Sequence, residues 1–514
     1  MPLSRRTFLM GAAGFAASSL HAAVMKPPRL AGDAFTLGVA SGYPSPHEVV
    51  LWTRLAPDPA QGGGMPPLPV EVAWEVAADP GFRTIVRRGT EFAQPEWGHS
   101  VHAQVGGLEP ARWYYYRFHA GSAVSPVGRT RTAPAPAAAV DRLRLAFASC
   151  QQYEQGYFGA YRHLAAEDLD LVLHLGDYIY ESSWGRHHVR SHGAGEPVTL
   201  GEYRDRYALY RSDPDLQAAH AAFPWLVTWD DHEVQNDYAN DRSQFADPPH
   251  LFLARRAAAY QAYYEHMPLP IRMRPRGPAM AIHTRCDFGT LARFHVLDDR
   301  QYRDPQSCPR PQRGGGSNVV PVADCPELLQ ERRTLLGAAQ ERWLEEGLAG
   351  SGARWNVIAQ QTVMARVDRL PGEGLSVWTD GWDGYPKARE RLLGFVADRR
   401  IANPVVIGGD VHTAVVADLK ADFDDPRGPA VATEFVGTSL TSQGIAQKAL
   451  EIWRAENPHI RYANSSRRGY TTMELTAQRC RVRMRAVYEK EPDSPVRTQA
   501  TWVVEDGRVG AQGA

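Results

Sequence analysis

Four apolar stretches of this chain each break off at a residue able to bind a metal ion. Residues 143–149 run into Cys150, and residues 169–175 into Gly176-Asp177-Tyr178-Ile179-Tyr180. Residues 225–229 run into Asp230-Asp231-His232-Glu233 with Asn236 beyond, and residues 404–407 into Gly408-Gly409-Asp410-Val411-His412. Helical patterns lie between the stretches, and strands alternating with helices mark an α/β architecture. In such sheets, ligands collect beyond the carboxyl ends of the strands, so the four termini are expected to converge. An Asp after a Gly at a strand end is usually a turn or a helix cap, and one instance would mean little. Together they would place five groups that are, or can become, anionic in one pocket: Cys150, Asp177, Tyr180, Asp231 and Asp410. An unpaired buried charge costs several kcal/mol, so such a pocket calls for cations. A carboxylate such as Asp177 can bridge two ions, an arrangement suited to phosphoryl transfer.

The region before residue 143 has a different texture. From about Phe35 to Thr132, short alternating segments such as Val72-Ala73-Trp74-Glu75-Val76 are separated by Pro/Gly turns, which predicts a β-sandwich over 33–133. Leu108-Glu109-Pro110 followed by Trp113-Tyr114-Tyr115-Tyr116 is similar to the tyrosine corner of fibronectin type III-like domains. An Ala/Pro stretch after Thr132 reads as a linker, and the catalytic domain is expected over 141–500. Within it, Thr199 and Glu202 form a capping box, Asp213-Pro214 opens the next helix, and 335–348 and 389–399 read as helices. The segments after Tyr470 read as strands, with no gating helix evident.

The ordered set FASCQ (147–151), HLGDYIYE (174–181), TWDDHEVQNDY (228–238) and IGGDVHT (407–413) resembles PhoD-type alkaline phosphatases of the metallophosphoesterase superfamily. FTLGVASGYP (35–44), VLWTRL (50–55) and DGWDGYP (380–386) extend the likeness over nearly the whole chain. The resemblance implies two sheets flanked by helices, preceded by the all-β domain. It also implies a site of ferric iron with calcium, with Cys150, Asp177, Tyr180, Asp231, Asn236, Asp410 and His412 as ligands. Thiolate and phenolate favour trivalent iron, whereas calcium takes the oxygens. By the same likeness His232 protonates the leaving alkoxide or steadies the phosphate, and Asp231 shares the catalytic work. Asp230 either binds metal or orients His232. The expected reaction is attack of metal-bound hydroxide on phosphorus in a phosphate ester. A phosphodiesterase or phospholipase D-like activity is the alternative within the enzyme class. An exported binding protein with an inactive phosphatase fold is the alternative outside it.

Lys and Arg total 57 against 58 Asp and Glu, and no long basic run breaks the balance, so stable nucleic-acid binding is not expected. Ser4-Arg5-Arg6-Thr7-Phe8-Leu9-Met10, a short apolar stretch and Ala22-Ala23 make residues 1–23 a twin-arginine signal, which predicts a protein exported folded by that machinery to the periplasm or beyond. No run reaches the roughly 18 apolar residues of a transmembrane helix. Of five cysteines, Cys308 and Cys325 flank a Pro/Gly/Ser-rich loop that a disulfide can close, for about 3 kcal/mol. His187, His188 and His192 read as a solvated loop before a zinc cluster. Asp298-Asp299-Arg300-Gln301-Tyr302-Arg303 follows a strand and reads equally as bringing an arginine to the phosphate or as buried Arg–Asp pairing. Trp378, Trp382 and Tyr385 read as packed turns before a lid.

Overall fold

The computed structural model describes residues 33–514. The export signal expected in 1–23 lies outside them. Strands Arg142–Ala148, Leu171–Leu175 and Pro224–Thr228 pair side by side and parallel. Their residues are almost all buried, which explains their unbroken apolar sequence. They form the middle of a ten-stranded sheet, flanked on one side by the antiparallel strands Arg468–Thr476, Arg479–Val487 and Arg497–Glu505. A second sheet of seven strands centres on Ala292–Val296, Trp355–Ala359, Pro404–Gly408 and Ala430–Val436, parallel to one another.

The two sheets share one core. Leu145, Leu173 and Val227 from the first pack in the same cluster as Phe294, Val357 and Ile407 from the second. Helices cover the second sheet's outer side: Leu344 and Leu348 of Gly337–Ala349, Leu393 and Val396 of Pro386–Asp398, and Trp453 of Gln447–Glu456 fall in a separate apolar cluster with Ile358 and Val406. This is the layered α/β sandwich that the alternation of strands and helices implies. The capping box at Thr199 is present, with Thr199 Oγ1 accepting from the Glu202 N–H and Glu202 accepting from the Thr199 N–H. Asp213 caps Pro214–Ala222 as expected. The 18-residue helix Pro249–His266 was not expected: its exposed N-terminal face carries Leu251 and Ala254, its buried side carries Arg256, and Ala262–His266 are buried all round, so no polar stripe gives a period.

The N-terminal region is all β. A five-stranded sheet that includes Val70–Ala77 and Trp113–Ala120 faces Val39–Gly42, Val49–Arg54 and Ser100–Val105 across an apolar layer of Val72, Val76, Tyr116, Leu51 and Ala103. The tyrosine corner is in place, the Glu109 N–H donating to Tyr114 Oη at 2.9 Å. Its second layer, however, is not separate from the rest of the molecule. Val39–Gly42 pairs parallel with Pro224–Thr228, so the sandwich strands continue the ten-stranded sheet. Trp52 Nε1 donates to the Glu265 carbonyl at 3.0 Å, and His102 stacks on Tyr264 at 4.2 Å, fixing the region to Pro249–His266.

Candidate metal centre

Parallel pairing places the ends of Arg142–Ala148, Leu171–Leu175 and Pro224–Thr228 side by side, and the facing sheet brings the end of Pro404–Gly408 to the same place. The turns that follow are tight. Cys150, Asp177, Asp410 and His412 all adopt positive φ, between 53° and 61°, a region that non-glycine residues occupy at a cost of about 1–3 kcal/mol. Four expected ligands thus sit in strained backbone.

Cys150 Sγ, an Asp177 oxygen and a His412 ring nitrogen lie within 4.8 Å of one another, as do ligand atoms of Asp177, Asp231 and His232. Tyr180 Oη donates to Asp177 Oδ2 at 2.7 Å and lies 3.1 Å from His412 Nε2. His412 Nδ1 must donate to the Gln443 carbonyl, 2.9 Å away, which leaves the lone pair on Nε2. Burial pushes the His412 imidazole down to about 3, so it is neutral. Asp177, Asp231, His232, Asn236, Asp410 and His412 line one cleft of about 590 Å³. Asn236 Nδ2 is spent on Gln244 Oε1 at 3.1 Å. Asp410 receives the Thr362 hydroxyl at 2.7 Å, and burial raises it to about 7 against the pull of Arg300.

The residues present fit metal ions. Asp177 Oδ1 and Asp231 Oδ1 are buried and have no hydrogen-bond partner among the described residues. Burial, with Asp231, Glu233 and Asp410 nearby, pushes Asp177 far above the usual carboxylate range despite His232. Burial and Asp177 do the same to the Cys150 thiol. Cations at the site would relieve both and complete the coordination of the free oxygens.

Several residues outside the expected set hold the site in shape. His232 Nδ1 is 2.6 Å from Glu181 Oε2, and Glu181 Oε1 accepts from the Asn236 N–H at 2.8 Å. Burial alone would strip the His232 proton, but Glu181, Asp231 and Asp177 outweigh it and hold the imidazole well above its ordinary value. Glu181, not Asp230, is therefore the residue that orients His232. Asp230 is turned away to Arg300 Nε. Arg300 also lies 2.8 Å from Asp380 and 3.6 Å from Asp231, so its role is buried pairing with aspartates. Glu233 accepts the N–H groups of Asp177, Tyr178 and Asp230 at 3.1, 2.6 and 2.8 Å, tying two strand-end turns together. Glu181 closes the motif at 174–181 and Glu233 follows His232 inside the motif at 228–238, and that adjacency is their one trace in the sequence. Asp237 and Asp380 approach Asp231 as a further acidic group.

Two family models match the chain: the PhoD-like phosphatase over residues 145–484 and the PhoD-like phosphatase N-terminal domain over 20–134. The chain belongs to the PhoD-like phosphatase family. It is 47% identical to alkaline phosphatase D of Bacillus subtilis (strain 168) over 524 residues, covering 98% of this chain and 88% of that protein. A solved structure described as the structure of PhoD superposes with a TM-score of 0.90 at 47% identity, over 95% of this chain and 93% of the other. The PhoD-like fold therefore extends through the N-terminal strands as well as the two-sheet core.

The other readings fall out as follows. His192 is buried and lies 3.0 Å from Tyr210 Oη, and no metal-ligand group among the described residues unites it with His187 and His188. Cys308 and Cys325 are disulfide-bonded. Trp378 lines the cleft, while Trp382 and Tyr385 are core residues.

Proposed function

We propose that this chain is an exported, metal-dependent phosphatase acting on phosphate esters in the cleft at the strand ends. The observation that carries the reading is the convergence of Asp177, Asp231, His232, Asn236, Asp410 and His412 on one cleft, where Asp177 belongs both to a ligand group with Cys150 and neutral His412 and to one with Asp231 and His232. Cys150, Asp177, Tyr180 and His412 would hold a ferric ion, and Asp177, Asp231, Asn236 and Asp410 would supply oxygens to calcium. The chemistry such ions supply when bound is Lewis acidity toward phosphate oxygens and water.

The protein's own part follows from the hydrogen bonds. Glu181 holds His232 Nδ1, so Nε2 is left toward the cleft and delivers its proton to the departing alkoxide oxygen. Glu233 keeps the turns bearing Asp177 and Asp231 in register. The likeness to alkaline phosphatase D supports a monoesterase active at alkaline pH. A diester, with its second alcohol, is the alternative substrate for the same cleft. Division into an N-terminal β domain over 33–133 and a catalytic domain over 141–500 belongs to the same proposal, as does export by the twin-arginine signal in 1–23. No helix among the described residues is long and apolar enough to cross a membrane.

The test compares an aryl phosphate monoester and the matching diester, before and after chelation, with Asp177→Ala as control. Hydrolysis of one ester that chelation and the substitution abolish is expected. Failure to hydrolyse either ester by protein shown to carry its metals would refute the reading.

A further inference from the structure

Besides its acidic ligands, the cleft is lined by Arg310, Arg313 and Arg369. Arg313 is engaged, donating to Gln244 Oε1 at 3.0 Å and lying 4.0 Å from Asp237. Arg369 is different. Its side chain donates no hydrogen bond and meets no carboxylate within 4.0 Å among the described residues, and its Nε is shut off from solvent without a partner. Other enclosed arginines nearby are paired: Arg300 with Asp230 and Asp380, Arg389 with Asp383. Arg369 is also held in place. Its guanidinium lies 4.1 Å from the Trp453 ring centroid and 5.3 Å from that of Trp378, and the Arg369 backbone N–H donates to the Ser376 carbonyl at 2.8 Å. The preceding Asp368 is fastened to Asn457 by two hydrogen bonds. Burial lowers Arg369 only to about 10, so it remains a cation at neutral pH.

A guanidinium carries five donors; Nε of Arg369 is closed off and unanswered, and the residue is only partly buried, which leaves its Nη groups able to meet an anion that enters the cleft. Asp383 and Asp410 act on Arg369 only at a distance, and neither comes within 4.0 Å of its guanidinium. The wall beside Arg369 is apolar and open: Trp378, Phe245 and Val319 line the cleft, the last two 53% and 41% exposed. Trp378 and Val319 are fixed by the pairing of Ser376–Trp378 with Val319–Pro321, the latter strand lying inside the loop closed by the Cys308–Cys325 disulfide.

We propose that Arg369 is a specificity-determining residue that takes a second anionic group, such as a phosphate, sulfonate or carboxylate, carried on the leaving alcohol of the phosphate ester. The body of that alcohol lies along Trp378 and Phe245, and Arg310 at the mouth adds a long-range attraction. The preferred substrates are then esters whose leaving group is itself charged at a distance from the reacting phosphorus. This inference rests on the phosphatase reading above and names its substrate class.

The experiment uses the full, metal-loaded chain, with 2-naphthyl phosphate and its 6-sulfonate as paired substrates. The wild type should favour the sulfonate in kcat/KM, and Arg369→Gln should cut that preference about tenfold, the worth of one charge-assisted hydrogen bond. Arg369→Lys should restore part of it. Because the comparison is a ratio between two esters in each protein, loss of folded protein cancels. A ratio unchanged by the substitution, whether both rates hold or both fall together, overturns the proposal and leaves Arg369 as a clamp on Trp453. A second readout needs no turnover: 6-hydroxynaphthalene-2-sulfonate, titrated by its own fluorescence, should bind the wild type in a salt-dependent way and bind Arg369→Gln at least about tenfold more weakly. Equal binding by both proteins overturns the proposal as well. If neither ester is hydrolysed while this binding difference stands, it is the phosphatase reading that has failed and not the subsite.

Discussion

At the scale of single residues, the site separates groups that can bind metal from groups that hold them. His232 is placed by Glu181 and not by its neighbour Asp230, and the consequences differ. If His232 protonates the leaving alkoxide, His232→Ala should cost about 10²–10⁴ in kcat on an alkyl phosphate and much less on a nitrophenyl ester, whose leaving group needs no proton. Equal losses on both esters would contradict that role. Glu181→Gln should follow the same pattern with a smaller loss, about 10–100-fold, while metal content by elemental analysis stays at the wild-type level. Asp177 accepts from Tyr180 and has a ligand oxygen within 4.8 Å of ligand atoms of Cys150 and His412 and of Asp231 and His232, so Asp177→Ala should lose bound metal and activity together.

At the scale of elements, strands and the turns that end them act as units. Glu233 takes three backbone N–H groups from two neighbouring turns, and each donor left unanswered costs about 1–3 kcal/mol. Glu233→Ala should therefore lower the unfolding midpoint and the metal occupancy, read by calorimetry and elemental analysis. The strands also enclose histidines. Burial pushes His174, on Leu171–Leu175, and His295, on Ala292–Val296, down to about 3. Such a group is neutral in the fold but charges in the unfolded chain near pH 6.5, so the unfolded state binds more protons between those values. Stability is complete above pH 6.5 and falls by about 1.4 kcal/mol per histidine for each pH unit below it, until the folded form titrates near pH 3. His174→Phe, which keeps a ring against Tyr178 and Trp225, should make the fall in urea midpoint between pH 6.5 and 4.5 shallower by about one proton.

At the scale of the whole molecule, the N-terminal strands and the catalytic strands share one sheet through the pairing of Val39–Gly42 with Pro224–Thr228. Trp52 is fully buried where these regions meet. Trp52→Ala should cost about 3–5 kcal/mol, and a calorimetric scan should show one transition that moves as a whole. Two separate transitions, with only the first shifted, would mean that the shared sheet does not couple the two regions.

What could be read from the sequence followed from local physics. Strand ends appear where apolar runs stop, helix starts appear where Thr199 and Asp213 can cap, and several acidic groups in one expected pocket require cations whatever the details. Glu109-to-Tyr114 bonding and the Cys308–Cys325 bridge are likewise short-range and were open to the same reasoning. Tertiary structure alone could decide which distant groups meet. The partners Glu181–His232 and Asp230–Arg300 are 51 and 70 residues apart, and no periodicity encodes such a choice. Pro249–His266 stayed hidden because apolar Leu251 and Ala254 on its exposed face and a fully buried last turn erase the polar stripe that announces a helix. The joining of the N-terminal strands to the catalytic sheet stayed hidden because a strand's sequence shows which faces it buries and not which edge it pairs with. The four strand ends could be named from the chain; that they share one cleft, with an unpaired arginine in its wall, is a property of the folded sheets.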